Sequence, residues 1–371
     1  MNRTDTLVIQ PHLKKSNDLK HILLNEAESL VKAIDLKCVF SAVAGIDRIN
    51  PKTYLNSGYV SFLKEKIIEL KASLIFININ LSPIQQRNLE KEIHCKVIDR
   101  TGLILEIFGS RAKSNEGKLS VLLASLNFQK SRLVRSWTHL ERQRGGAGFM
   151  GGPGEKQIES DKRQITEKIN RLKKKILKIN NTRLNQRYRR VKNKIPIISL
   201  VGYTNSGKST LFNLITKSSV LSKNMLFASL DSTIRNAHYR GSNFIFVDTV
   251  GFIRDLPTTL IDAFKSTLDE ILNSDLILHV RDISDSQYLV NKNEVLKILD
   301  EIGIYKDDKR IIEVNNKIDV VIDSMNFHNQ INKKSIMISA KKKIGIQTLM
   351  NRILKSLEES RQNNFSFQQS N

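Results

Sequence analysis

The residues best suited to chemistry lie in one run. Gly202-Tyr203-Thr204-Asn205-Ser206-Gly207-Lys208-Ser209 directly follows an apolar stretch at 197–201 and precedes the helix-like Thr210-Leu211-Phe212-Asn213-Leu214. Glycines at this spacing let backbone N–H groups turn toward phosphate oxygens, and the start of the following helix adds positive potential. Lys208 supplies a charge at the β and γ oxygens, and Ser209 a hydroxyl for Mg²⁺. Strand–loop–helix order separates a phosphate loop from a chance glycine run.

Two further runs complete the pattern. Phe244-Ile245-Phe246-Val247 reads as a buried strand ending in Asp248-Thr249-Val250-Gly251. The acid can bind a metal's water shell, and the Gly251 N–H can sense a third phosphate, so Lys208 and Gly251 are the candidate catalytic groups. Ile311-Ile312-Glu313-Val314-Asn315 leads into Asn316-Lys317-Ile318-Asp319, where a carboxylate can accept both the N1–H and the 2-amino group of guanine. Adenine offers no such donor pair. Ser339-Ala340-Lys341, after an apolar run at 336–338, fits the short loop whose backbone reaches guanine O6. GTP and GDP are the expected ligands.

The elements that must hold these loops read as α/β. Over residues 1–118, short apolar β-like runs (6–9, 38–44, 74–79, 97–98) alternate with amphipathic stretches near 18–33 and 60–70, with turn signals at Asn56-Ser57-Gly58 and Leu81-Ser82-Pro83. From Leu119 the period changes. Leu119, Leu122, Leu126, Leu133, Trp137 and Leu140, then Ile158, Ile165, Ile169, Leu172, Ile176 and Ile179, step by 3, 4 or 7 as helix faces do. Between them, six glycines in residues 145–154 continue neither helix, so an antiparallel hairpin with a glycine-rich tip is expected over 119–194, flanked by Arg142, Arg144 and Lys156. The nucleotide domain spans 195–360, and the Gln-, Asn- and Ser-rich 361–371 reads as a disordered tail.

Charge says where a polyanion would bind. The net charge is +23 over 371 residues, and residues 126–195 alone carry 20 Lys and Arg against 5 Asp and Glu. A nearly neutral enzyme-like domain joined to so basic a segment points to nucleic acid ahead of anionic membrane. Neither a membrane-length apolar run nor a signal peptide is present, so a cytoplasmic protein is expected, with peripheral membrane association left open. Cys38 and Cys95 lack zinc or redox spacing and read as ordinary reduced thiols. With no sustained unpaired apolar seam, a monomer is expected.

Beyond the nucleotide motifs the chain resembles the HflX family of ribosome-associated GTPases. The resemblance is carried by Asp99-Arg100-Thr101-Gly102-Leu103-Ile104-Leu105, Glu116-Gly117-Lys118-Leu119, Trp137-Thr138-His139-Leu140, Gly151-Gly152-Pro153-Gly154-Glu155 and the phosphate loop, across roughly residues 1–360. It implies a Ras-like GTPase domain and binding to the 50S subunit and its rRNA. It further implies that the hairpin tip, with Arg142, Arg144 and Lys156, points to the peptidyl-transferase region, and that stalled ribosomes are split or rescued under stress. It also makes Phe227-Ala228-Ser229-Leu230-Asp231 the first switch, with Ser229 at a metal-binding position where the family has Thr. Metal ligands are therefore expected at Ser209, Ser229 and Asp248. Two other departures are Lys156 for a usual Thr and Tyr59 for a usual Lys. Asn205 resembles the loop asparagine of potassium-stimulated GTPases, so it either holds K⁺ or structures the loop. Phe252 stands where many GTPases carry a water-orienting glutamine, which predicts slow intrinsic hydrolysis accelerated by a partner. Ribosome assembly, RNA modification, and a GTP-gated RNA-binding switch remain the alternative tasks.

Overall fold

The structure, a computed structural model, describes residues 4–14, 19–143, 153–192, 195–218, 226–227, 232–257, 260, 265–321 and 335–368. The chain forms two compact units, Met1–Ile179 with Pro257–Ala263, and Asn180–Leu256 with Phe264–Asn371.

In the first unit, strands β1 (Asp5–Leu13), β2 (Lys37–Ile46), β3 (Leu74–Ile77) and β4 (Lys96–Asp99) form a parallel sheet in the order β2-β1-β3-β4. Helices α1 (Lys20–Ala33), α2 (Ser57–Leu70), α3 (Pro83–Ile93) and α4 (Arg100–Arg111) connect and follow them. The residues expected to turn at Leu81-Ser82-Pro83 instead start α3. The Ser82 hydroxyl accepts from the Gln85 N–H while the Gln85 side chain accepts from the Ser82 N–H, and Pro83 fills the first turn. Asp99 caps α4 through Gly102 N (2.8 Å) and receives Leu81 N (3.3 Å) and Arg132 Nη2 (2.6 Å). Its neighbour Arg100 binds Asn78 and Glu26. The Asp-Arg-Thr-Gly run is therefore a structural hub. Cys95 is buried and Cys38 half-buried, both free, and burial raises both thiol pKa values, which suits inert thiols.

Helices α5 (Asn115–Gln143) and α6 (Pro153–Lys192) follow. Leu126, Ile169 and Leu172 are buried together, with Leu119, Leu123 and Ile165 packed on them. The seam thus uses Leu123 where the sequence reading placed Leu122, which is 48% exposed. The two positions are adjacent on the helix, and only the partner helix decides which one faces it. Residues 144–152, which hold most of the expected tip and Arg144, lie outside the described residues, as do the side chains of Arg142 and Lys156.

The second unit is a six-stranded sheet in the order β10-β9-β8-β5-β7-β6. Its strands are β5 (Ile197–Val201), β6 (Thr233–Tyr239), β7 (Ser242–Asp248), β8 (Leu276–Asp282), β9 (Ile311–Asn316) and β10 (Ile336–Met337), all parallel except β6 against β7. The helices are α7 (Lys208–Thr216), α8 (Lys265–Leu272), α9 (Tyr288–Glu301), α10 (Ile318–Val321) and α11 (Ile346–Gln368). Continuous apolar runs in β5 and β7 reflect burial on both faces. α11 carries helix to Gln368, so the backbone of most of the expected disordered tail is helical. Adding a residue to an existing helix costs far less than starting one, and Gln and Ser tolerate it.

One core group makes stability depend on pH. His279 in β8 is 1% exposed, and burial, with Arg281, Lys292 and Lys208 adding positive charge, pushes its imidazole pKa down to about 3. In the unfolded chain the same ring takes up a proton near pH 6.5. The contribution is therefore complete above about pH 6.5 and is lost as the pH falls below it, at up to about 1.4 kcal/mol per pH unit. Urea midpoints between about pH 7 and pH 5 are expected to fall more steeply for the natural chain than for His279→Gln; parallel curves would refute this.

Candidate functional site

The phosphate loop leaves β5 and ends at the first turn of α7, whose N-cap Gly207 has φ +92°. A Cβ at Gly207 would stand 2.2 Å from Asn316 Nδ2, so glycine is required on grounds of both conformation and space. Lys208 is 5% exposed, and its ammonium donates to the carbonyls of Gly202 (3.0 Å) and Tyr203 (2.8 Å). Burial lowers its pKa to about 8, opposed by the nearby Asp248 carboxylate, so the amine stays largely charged at neutral pH. The hydroxyls of Thr204 and Ser206 are buried with no hydrogen-bond partner among the described residues. Asn205 crests the loop, exposed and left-handed at φ 62°.

Because β5 and β7 are parallel neighbours, the end of β7 comes beside the start of α7. There the Ser209 hydroxyl donates to Asp248 Oδ2 at 2.7 Å. A hydroxyl and a carboxylate so placed, with Lys208 alongside, fit a small hard cation shared with phosphate oxygens. Thr249 turns its hydroxyl inward to the Leu200 carbonyl (2.6 Å) and Val250 is buried, so this Asp-x-x-Gly run offers backbone more than side chains. Gly251 lies against Thr204, where a Cβ would meet Cγ2 at 2.9 Å and Cα at 3.0 Å. Phe227 is buried at φ 55°, whereas Ala228, Ser229, Leu230 and Asp231 lie outside the described residues.

β9, parallel to β8 and two strands from β5, brings Asn316-Lys317-Ile318-Asp319 to the same edge. Asn316 Nδ2 donates to the Ser206 carbonyl (2.9 Å), and its Oδ1 accepts from Ala340 N (3.0 Å), so one side chain joins the phosphate loop to the Ser339-Ala340-Lys341 loop. Ser339 Oγ donates to Asp319 Oδ1 at 2.5 Å and accepts from Lys342 N at 3.0 Å. Ile318 is buried, and its N–H reaches the Ile338 carbonyl at 3.3 Å.

Sequence reasoning missed two features. Lys317 pairs with Asp282 at the end of β8 (2.6 Å), and Asp282 also accepts from Ser284 N. A strand-ending acid after an apolar run was the available signal. The second is a backbone latch, in which Phe252 N donates to the Gly202 carbonyl (3.1 Å) and Thr204 N donates to the Phe252 carbonyl (2.7 Å). Arg254 N adds a bond to the Tyr203 hydroxyl (3.0 Å). The Phe252 ring is 2% exposed, so it serves the core and orients no water.

Comparison with known proteins agrees with this arrangement. Residues 22–109 match the family described as GTP-binding GTPase N-terminal, residues 111–190 the GTP-binding GTPase Middle Region, and residues 197–317 the 50S ribosome-binding GTPase family. GTPase HflX of Magnetococcus marinus is 47% identical over 307 residues, covering 82% of this chain and 71% of that protein. GTPase HflX of Escherichia coli (strain K12) is 42% identical over 301 residues, covering 81% and 70%. The crystal structure of SsGBP in complex with GDP superposes with a TM-score of 0.52 at 25% identity, over 96% of this chain and 99% of that one. Identity at this level over four-fifths of its length (82% and 81%) places the chain in the GTPase HflX family.

Proposed function

We propose that this chain binds GTP with Mg²⁺, hydrolyses it slowly alone and faster on the 50S subunit, and uses the cycle to split or rescue stalled ribosomes. The observation that carries the enzymatic part is the meeting of Lys208, the Ser209–Asp248 pair and the Asn316–Ser339–Asp319 cluster along one sheet edge.

On this reading Lys208 leaves the Gly202 and Tyr203 carbonyls for the β and γ oxygens, and the loop N–H groups from Asn205 to Ser209 hold the phosphates. Ser209, Asp248 through its water shell, and Ser229 would hold Mg²⁺, which when bound neutralises charge developing on the transferred phosphoryl group. Gly251 N–H, next to the Phe252 latch, senses the third phosphate. Asp319 accepts the guanine N1–H and 2-amino group, with Ser339, Ala340 and Lys341 at O6. The wider set of contacts, Gly202, Tyr203, Thr204, Thr249, Val250, Lys317 and Ile318, shapes the pocket mainly through backbone. For rRNA, support comes from charge: among the described side chains of α6, Lys162, Arg163, Lys168, Arg171, Lys173, Lys174, Lys175 and Lys178 are exposed.

The test is GTP turnover with and without purified 50S subunits, alongside pelleting of the GTP-bound protein on 50S, 30S and 70S particles. Stimulation by orders of magnitude is expected, since a partner can contribute about 10⁵-fold in a well-studied GTPase. Full-rate hydrolysis by the free protein would sink the idea. Repeating the assay in K⁺ and Na⁺ salts at equal ionic strength reads Asn205, with equal rates assigning it to loop structure alone. The buried Phe252 favours one second reading, a GTP-gated RNA-binding switch, which binding to 50S without stimulation would establish.

A further inference from the structure

The loop beside the base-reading carboxylate carries a charge cluster that guanine recognition does not use. Lys341, Lys342 and Lys343 are consecutive and exposed, and none forms an ion pair among the described residues. They ride on a closed turn, because Ser339 N and Ile344 N exchange bonds with the opposite carbonyls at 3.0 Å each. Lys343 holds φ 61° and the following Gly345 φ 73°, where a Cβ would stand 2.3 Å from the Met337 carbonyl. These bonds and the two positive-φ positions define the closed form of the turn, in which three exposed lysines follow one another.

The same turn is wired to the nucleotide site. Lys342 N donates to Ser339 Oγ (3.0 Å), Ser339 Oγ donates to Asp319 Oδ1 (2.5 Å), and Ala340 N donates to Asn316, whose amide reaches the phosphate loop at Ser206. A ligand gripping the lysines bears on both the base-selecting carboxylate and the phosphate loop through four hydrogen bonds.

We propose that Lys342 and Lys343, with Lys341, grip the phosphate backbone of RNA, and that this contact slows guanine-nucleotide release. The inference rests on the GTPase reading above and adds a second RNA contact, apart from the basic hairpin, in the nucleotide domain. A polyanion relieves the mutual repulsion of the lysines and holds the turn in the shape that orders Ser339 and Asp319. The nucleotide in turn strengthens RNA binding by the same factor, because coupling is reciprocal. RNA suits the turn better than a membrane surface, since the turn carries no aromatic anchor and residues 341–343 are all exposed cations.

The test measures release of a fluorescent GDP analogue from the full chain, with and without a saturating short RNA duplex, in the natural protein and in Lys342→Gln/Lys343→Gln. RNA is expected to slow release from the natural protein by about five-fold or more, the lower range of allosteric couplings. In the double variant, release without RNA stays as in the natural protein and the RNA effect is lost, although the hairpin still retains RNA. Unchanged release from the natural protein on adding RNA, an equal RNA effect in the double variant, or slowing by anionic phosphatidylserine vesicles but not by RNA would each overturn the proposal. Failure of the natural protein to bind the GDP analogue at all would instead remove the GTPase reading beneath it.

Discussion

Replacing Lys208 by methionine is expected to lower GTP hydrolysis by about 10³-fold or more, the scale seen when one preorganised donor to developing charge is removed. The ammonium is buried, with burial holding its pKa near 8, and rests on the Gly202 and Tyr203 carbonyls of the loop it would leave for phosphate. Methionine keeps most of the volume and removes the charge. The fold should survive, because the Gly202 carbonyl still accepts from Phe252 N and a desolvated cation has gone. Single-turnover hydrolysis with saturating 50S, together with a thermal melt, checks both halves. A folded Lys208→Met protein that hydrolyses within ten-fold of the natural rate would remove Lys208 from the reaction.

The second large effect is a change of base. In Asp319→Asn the acceptor of two guanine donors becomes half donor, so two charge-assisted hydrogen bonds at about 1.5–3 kcal/mol each are lost, or roughly 10²–10⁴-fold in GTP affinity. Xanthine carries a carbonyl where guanine has its 2-amino group, and an asparagine Nδ2 can donate to it. XTP is therefore expected to bind the variant better than GTP does. The loop itself should hold, since an asparagine Oδ1 still accepts from Ser339 Oγ. Competition of GTP, XTP and ATP against a fluorescent GDP analogue measures the order of preference. Retention of GTP over XTP would place guanine selection elsewhere.

What could be foreseen in the fold follows from how much each element depends on its own residues. The apolar stretches at Ile197–Val201 in β5 and at 244–247 in β7 are buried, so they stood out as runs, whereas β8, with His279, Arg281 and Asp282 in its second half, did not. β6, Thr-Ile-Arg-Asn-Ala-His-Tyr, is a polar edge strand that among the described residues pairs only with β7, and nothing in its composition announces it. α3 was hidden because Ser82-Pro83 serves equally as a turn and as a helix start; Gln85 closing the capping box decides between them. The α5 seam was misplaced by one residue for the corresponding reason, since Leu122 and Leu123 are equally apolar and the facing helix chooses.

The sequence by itself carried the proposed chemistry: a phosphate cradle, a metal-side acid and a guanine-selecting carboxylate. Each is written in consecutive residues whose type and spacing the reaction demands. Tertiary structure alone decided how they meet. Ser209 and Asp248 stand 39 residues apart, Asn316 and Ser206 110 apart, and both pairs close because parallel strands β5, β7, β8 and β9 end at one edge. Lys208 resting on its own loop carbonyls, Lys317 held by Asp282, and Phe252 latched across the phosphate loop also belong to this second class. Strand order sets those distances, and strand order is an outcome of packing rather than of any local spacing.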